Sequence, residues 1–538
     1  MTRELPAPAE TADEQVLRER RPGTLRSRPA TPAGARPMLR PALLLMALLA
    51  FLGAWAVASP VGSSPDDDYH LGSIWCAQGA RGSACLTAPD NPDAFLVPSA
   101  LVSSQCYAFK AEESAACQSD FTTGSGPYVE SVRGNFGVHE GDYPALFYAT
   151  MSIFVGDDIA RSVIVMRLFN VGLLVAMLAG VYAASAARAR RAVVATVAVT
   201  IIPLGAFIVA SVNPSSWSTI SAMTLFLSAY GYLTAPRRRR ALVLAGLATV
   251  ALVLGIGSRG DASLYAVIAV GAAVVLWMPL GIPTRGTLLR LILPVVWISV
   301  GAFGFLGAGQ AASAAGQDAG RGPMVFVVGF WNVFDNWTGA LGARGLGWLD
   351  TMMPGIVWVF VPAAVFAVMF VGLAHVGVRR GSMVALVALS AAVIPAYIQF
   401  VAVQVPGSVQ PRYIYPLLIV MVAVGTLAVE RRPFLLTQAQ RWIVVAAIGI
   451  AGGVALYTNL RRYVTGVDVI SLSLSPSEWW WDGAWLSPDV VVALGSVGLV
   501  VALALGTRVL VRTTVGDDDT LVDDRAVAVV PPSAERSR

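Results

Sequence analysis

Three consecutive carboxylates, Asp66, Asp67 and Asp68, with His70 two residues further on, stand just beyond the first long apolar run of the chain. A carboxylate in that place could act as a general base, taking the proton from an acceptor hydroxyl at a bilayer surface. Like charges so close together raise at least one pKa of the group, which suits that role. The plainer alternative is a solvated acidic turn that caps a helix. The same polar segment closes on Val138-His139-Glu140-Gly141-Asp142. His139, Glu140 and Asp142 could join Asp66, Asp67 and His70 around a divalent cation, although no fixed spacing of the His-Glu-x-x-His kind is present. Hydrogen-bonded loop anchoring is the other role open to both histidines.

Late in the chain, Gln410-Pro411-Arg412-Tyr413-Ile414-Tyr415-Pro416 sets one arginine at the start of an apolar run between tyrosines. The planar guanidinium fork suits phosphate oxygens; an interfacial anchor that snorkels is the alternative. Arg259, in Gly257-Ser258-Arg259-Gly260-Asp261, admits the same two roles, and an internal pair with Asp261 is a third. Trp479, Trp480, Trp481 and Trp485 could stack on a sugar ring or form an interfacial aromatic belt.

These residues need elements to hold them, and the composition says which. Of 538 residues, 56% are hydrophobic and 13% charged, with mean hydropathy +0.66. Soluble domains carry about 45–50% apolar and about 25% charged residues, so a cytosolic enzyme with an ordinary solvated surface is excluded. The basic residues lie in short blocks between apolar runs, a pattern of membrane topology that argues against nucleic acid as a partner. The expected fold is an all-α polytopic membrane protein.

Twelve runs are long or apolar enough to be spans: about 39–58, then near 162–186, 192–211, 216–234, 241–256, 262–280, 291–308, 354–376, 383–404, 413–429, 441–458 and 488–507. If the N-terminus is cytosolic, the blocks Arg188/Arg190/Arg191, Arg237 to Arg240, Arg285/Arg290, Arg379/Arg380 and Arg431/Arg432 all fall inside. Residues 143–155 are too short to span and would reverse every later connector, so they are expected to form a juxtamembrane or re-entrant helix. The domain reading is then a disordered cytosolic tail 1–37, a first span 38–58, an extracytoplasmic loop 59–161, an eleven-helix region 162–508 with outer loops near 309–352 and 459–487, and a disordered cytosolic tail 509–538.

All four cysteines, Cys76, Cys85, Cys106 and Cys117, lie in the first loop. An even count in an oxidising compartment implies two disulfides. Cys76–Cys85 and Cys106–Cys117 are favoured because they close the shortest loops. In the same topology Arg167, Asn170, Asn213, Arg259, Asp261 and Arg412 map to one ledge on the outer side. A conduction path would spread ionisable groups through the depth of the membrane.

At these residues the sequence resembles the DUF2142 family of bacterial membrane proteins, related to the GT-C superfamily of polyprenyl-phosphate-sugar glycosyltransferases. The family pattern Pro-Asp-Glu-x-x-His is matched by Pro65-Asp66-Asp67-Asp68-Tyr69-His70, with Asp67 in place of Glu. A His-Pro-Pro-x-x-Tyr-like segment is matched by Asp142-Tyr143-Pro144-Ala145-Leu146-Phe147-Tyr148, without the His-Pro start. Asn213-Pro214 fits the family's Asn-Pro, and Gln410-Pro411-Arg412-Tyr413 fits Gln-Gly-Arg-Tyr with Pro411 for Gly. The resemblance covers about residues 39–430 in order and spacing.

The resemblance implies a transferase in the bacterial plasma membrane that moves a sugar from a polyprenyl-phosphate donor to an envelope glycan, lipid or protein. It implies Asp66 or Asp67 as base with His70 as its neighbour, and Arg412 as a ligand of the donor phosphate; Tyr413 adjoins it, and Arg259 is a further phosphate candidate from topology. A leaving phosphate that carries its own charge makes a metal unnecessary, with a divalent cation the open alternative. A transporter or flippase for a lipid-linked envelope precursor, or a non-catalytic assembly protein, are the rival functions.

Overall fold

Hydrocarbon offers the backbone no hydrogen-bond partners, so apolar runs that enter it fold as helices. The structure, a computed structural model, describes residues 36–80, 84–118, 127–308, 323–401, 409–429 and 433–511. Most of the two expected tails and the connector Arg431/Arg432 lie outside the described residues. The chain divides into two units, 1–42 and 43–538; of the first, only the opening turns of one helix are described.

That helix is α1 (Arg36–Val57). The first loop carries α2 (Asp67–Trp75), α3 (Ser99–Ser103) and α4 (Ala145–Met151). Then come α5 (Ile159–Ala184), α6 (Ala187–Thr200), α7 (Ala206–Val209), α8 (Ser215–Thr234), α9 (Arg238–Ile256), α10 (Gly260–Trp277) and α11 (Arg285–Leu306). The last six are α12 (Pro323–Ala340), α13 (Gly355–Leu373), α14 (Val378–Val401), α15 (Pro411–Thr426), α16 (Gln438–Val464) and α17 (Pro488–Gly506). By length and apolarity, 10 helices among the described residues can cross a membrane.

The other two expected spans coincide with α8 and α15, which are buried in protein instead of facing lipid. α8 is rich in Ser and Thr, whose hydroxyls bond their own helix: Thr224 donates to Ile220 O and Ser228 to Thr224 O. Small side chains let its neighbours α5, α9, α10 and α15 approach closely. α15 has 16 residues and is surrounded by α6, α8, α12, α13 and α14.

One span is broken. Pro203 removes a helical N–H and pushes the residue before it toward extended backbone, and Ile202 has φ −121° and ψ 152° between α6 and α7. The hydroxyl of Tyr415 in α15 donates to the Thr200 carbonyl beside the break. Gly205 leaves room for it, since a Cβ there would clash with the Tyr415 hydroxyl. Tyr415→Phe is therefore expected to destabilise the protein by about 1–2 kcal/mol, read as a lower melting temperature of solubilised protein. An unchanged melting temperature would mean that the carbonyl finds another donor.

The first loop is not wholly helical. Leu86–Thr87, Phe95–Pro98 and Tyr128–Ser131 form a three-stranded antiparallel sheet, β1-β2-β3, with Leu86 opposite Leu96 and Val97 opposite Val129. The disulfides are Cys76–Cys85 and Cys106–Cys117, the pairing favoured by loop length. The segment 143–155 forms α4 and a 3₁₀ turn, Ser152–Phe154. It is too short to cross about 30 Å of hydrocarbon. It docks on the α9–α10 turn, where Phe147 N donates to Gly257 O at 3.0 Å.

The expected outer loop near 309–352 contains a helix, α12, within what reads as loop in the chain. α12 packs on α14 and α15 and exposes Met324, Val327, Val328, Trp331 and Phe334 at helical spacing. Asp335 and Asn336 interrupt its apolar run, so it does not read as a span.

Candidate functional site

The chain leaves α1 through a tight turn, Ser59 to Pro65, whose carbonyls face inward and need donors. Side chains from distant elements supply them. Arg167 of α5 donates from Nη1 to Ala56 O (3.2 Å) and Ser59 O, and from Nη2 to Pro60 O (2.7 Å) and Ser63 Oγ (3.1 Å). Asn459 of α16 donates to Ala58 O, Tyr107 and Gln118 donate to Val61 O, and Trp348 donates to Gly62 O. Trp481 donates to Val57 O at the end of α1 and Trp480 to Leu486 O, so these two tryptophans pin the chain.

The turn delivers Asp66 in the left-handed region, φ +63°, where its carbonyl accepts from the Tyr69 and His70 amides to start α2. Asp66, Asp67 and Asp68 then point three ways, because successive helical residues are rotated by about 100°. Asp66 pairs with Arg412 Nη2. Asp67 accepts from the Ser64 amide (3.0 Å) and the Ser64 hydroxyl. Asp68 pairs with Arg133 at 2.6 Å.

Their environments differ accordingly. For Asp66, burial pushes the pKa up, but Arg412, His70 and Arg259 together more than cancel this and hold it below the usual carboxylate range. For Asp67, burial outweighs the Ser64 hydrogen bonds and Arg167 and carries the pKa up to about 6. Asp68 is also raised, by burial against the pull of Arg133.

The Pro65 carbonyl is where three of the quoted motifs meet. It accepts from Arg412 Nη1 at 3.2 Å and from Asn213 Nδ2 at 2.9 Å. Asn213 Oδ1 in turn accepts from the Ser215 amide and caps α8. The fourth motif arrives through Tyr148, whose hydroxyl lies 2.9 Å from His70 Nδ1, and through Tyr143, whose ring is 5.3 Å from that of His70. Burial holds His70 neutral, with its pKa down at about 3, and raises Tyr143 to about 12. His70 Nε2, Arg412 Nε and Gln410 Oε1 are buried without a partner among the described residues.

Arg259 lies beside this cluster but is already engaged. Its Nε and Nη2 fork Asp261 at 2.9 and 2.8 Å, and Nη1 reaches Ser215 Oγ at 3.4 Å, so the internal pair forms. Its guanidinium is 4.8 Å from the Tyr413 ring centroid and that of Arg412 is 5.3 Å away, so one tyrosine contacts both cations. Tyr265 holds the Tyr413 carbonyl at 2.7 Å.

Of the sequence candidates, Asp66, His70, Arg412, Tyr413 and Arg259 come together, while Asp67 is turned toward Ser64. His139 and Asp142 pair with each other at 3.0 Å, and Glu140 is exposed. His139 reaches the cluster through the Tyr69 ring, 6.2 Å from His139 and 5.5 Å from His70. Among the described residues, no group of three or more His, Cys, Asp or Glu could hold a metal ion.

Arg167 appears in the sequence only as one polar residue on a ledge, and the buried pair Arg462–Asp350 (2.9 Å) does not appear there at all. Arg462 also donates to Tyr107 O at 2.8 Å, tying the second disulfide's segment to α16. An arginine within or at the end of an apolar run is the signal available for both.

Fold and site together define a multi-pass helical membrane protein with a buried charged cluster where the first loop meets the spans. The chain belongs to the DUF2142 family, described as a predicted membrane protein, whose sequence profile matches residues 49–421. No curated protein and no solved structure matches the chain.

Proposed function

We propose that the protein is a GT-C-like membrane glycosyltransferase, moving a sugar from a polyprenyl-phosphate donor to an envelope glycan, lipid or protein acceptor on the outer face of the bacterial plasma membrane. The observation that carries this reading is the Asp66–Arg412 pair, which sets a carboxylate and a guanidinium side by side at the membrane boundary. In this scheme Asp66 takes the proton of an acceptor hydroxyl as its oxygen bonds to the anomeric carbon. The bond from that carbon to the phosphate oxygen breaks, and the electron pair leaves with the lipid phosphate, whose added charge Arg412 meets. His70 lines the base, and Tyr413 holds Arg412 and Arg259 in place. The scheme requires no metal, and a divalent cation at the phosphate is compatible with it.

The reading also requires both termini in the cytosol. Single cysteines, placed in a background where other reactive thiols are absent, should be labelled only from inside at positions 238 and 380 and only from outside at 335; outside labelling at 238 overturns the orientation. The activity itself is tested with purified full-length protein and a synthetic polyprenyl-phosphate sugar. Transfer to an envelope acceptor is expected, and donor movement across vesicles without transfer would favour a flippase instead.

A further inference from the structure

We propose that Asp66 is a built-in occupant of the Arg412 anion site, and that a phosphate must exchange with it, so that phosphate binding and release of the carboxylate are one event. This rests on the phosphate-donor reading above and adds to it how the site is kept closed until the donor arrives.

Exposure shows which of the two groups an incoming ligand meets. The Arg412 side chain is 2% exposed and that of Asp66 37%. The guanidinium lies behind the carboxylate. Of its five N–H donors, one on Nη1 meets the Pro65 carbonyl and one on Nη2 meets Asp66, while Nε is buried. The direction held by Asp66 is therefore the approach left for an outside anion.

Charge leads to the same place. Asp66, Arg412, Arg259 and Asp261 carry two formal charges of each sign, so an anion entering the intact cluster meets no net attraction. Arg259 and Asp261 are joined by a fork, with their side chains 6% and 15% exposed. Asp66 is the more exposed carboxylate, and its side chain makes no helix-capping hydrogen bond; the backbone carbonyl starts α2 instead. It can swing away without unwinding the helix.

Exchange also changes what Asp66 is. In the pair, Arg412 keeps its pKa low and its basicity weak. Once phosphate takes the guanidinium, burial is no longer offset by that cation, and the carboxylate becomes a better proton acceptor. His70 is close enough to act on Asp66 electrostatically, and its Nε2 has no partner among the described residues. In the tautomer in which the Tyr148 hydroxyl donates to Nδ1, the ring proton sits on Nε2 and can receive the displaced carboxylate.

The test is binding without chemistry, using the full chain in lipid nanodiscs, with farnesyl phosphate and inorganic phosphate as separate probes. Asp66→Asn removes the competing charge and is expected to bind farnesyl phosphate about tenfold more tightly than wild type, while Arg412→Ala loses at least tenfold. Asp66→Ser carries the same expectation should the Asn variant fail to fold. Tightening of both probes assigns the gain to the phosphate, and tightening of farnesyl phosphate alone assigns it to a lipid headgroup. An Asp66 variant that folds and binds both probes no better than wild type overturns the exchange. If Arg412→Ala binds both as well as wild type, the phosphate reading of Arg412 fails instead.

Discussion

Asp66→Asn is expected to lower sugar transfer by about 10²–10⁴-fold, the usual contribution of a positioned general base, whereas Asp67→Asn should stay within about tenfold of wild type. The two residues are neighbours of the same type, and their surroundings separate them. Asp66 is paired with Arg412 and partly exposed; Asp67 is buried against Ser64. Their pH behaviour should differ as well. A carboxyl with a lowered pKa contributes stability that is present above its unfolded value and lost as pH falls through the folded one, so the Asp66 pair is intact at neutral pH. Asp67 has the opposite sign: its pKa of about 6 means that its contribution is present at low pH and lost as pH rises through 6. Asp67→Asn should then raise the melting temperature above pH 7 more than at pH 5. Arg412→Lys should retain part of the donor affinity that Arg412→Ala loses, because a point charge attracts phosphate without the fork. Normal turnover in Asp66→Asn would make the carboxylate structural and end its assignment as base.

Arg167→Met is expected to cause the largest loss of stability among single substitutions in the site region, about 3–5 kcal/mol, as for one member of a buried charged network. Methionine keeps most of the volume but leaves the carbonyls of Ala56, Ser59 and Pro60 and the Ser63 hydroxyl without their donor. It also leaves Asp67 without the cation that opposes its burial. Arg167→Lys should rescue little, since one ammonium cannot span acceptors that two guanidinium nitrogens now divide. Denaturation of solubilised protein measures this, and a loss below about 1 kcal/mol would show that the turn holds without the clamp. Because the turn delivers Asp66, any Arg167 variant that still folds should also lose transfer.

The helices were legible from the chain alone because the constraint that makes them is local: some twenty apolar residues in hydrocarbon have no alternative to a helix. The disulfides were legible for a related reason, as short loops close with the least entropy loss. The helix α12 is not legible in the chain because Asp335 and Asn336 break its apolar run, and its other face packs on α14 and α15. For the site, the residue types were visible and their partners were not. Asp66 and Arg412 stand 346 residues apart, and no spacing rule connects them. Which of three adjacent aspartates faces the arginine depends on a rotation of about 100° per residue and on a turn held by Arg167, Tyr107 and Asn459 from three separate parts of the chain. Arg259 illustrates the same division at short range: its partner Asp261 could be named from the sequence, but the burial of both side chains beside Tyr413 could not. Local physics placed these groups at one end of the spans, and only the packing of α5, α8 and α15 around the turn from Ser59 to Pro65 decided which of them touch.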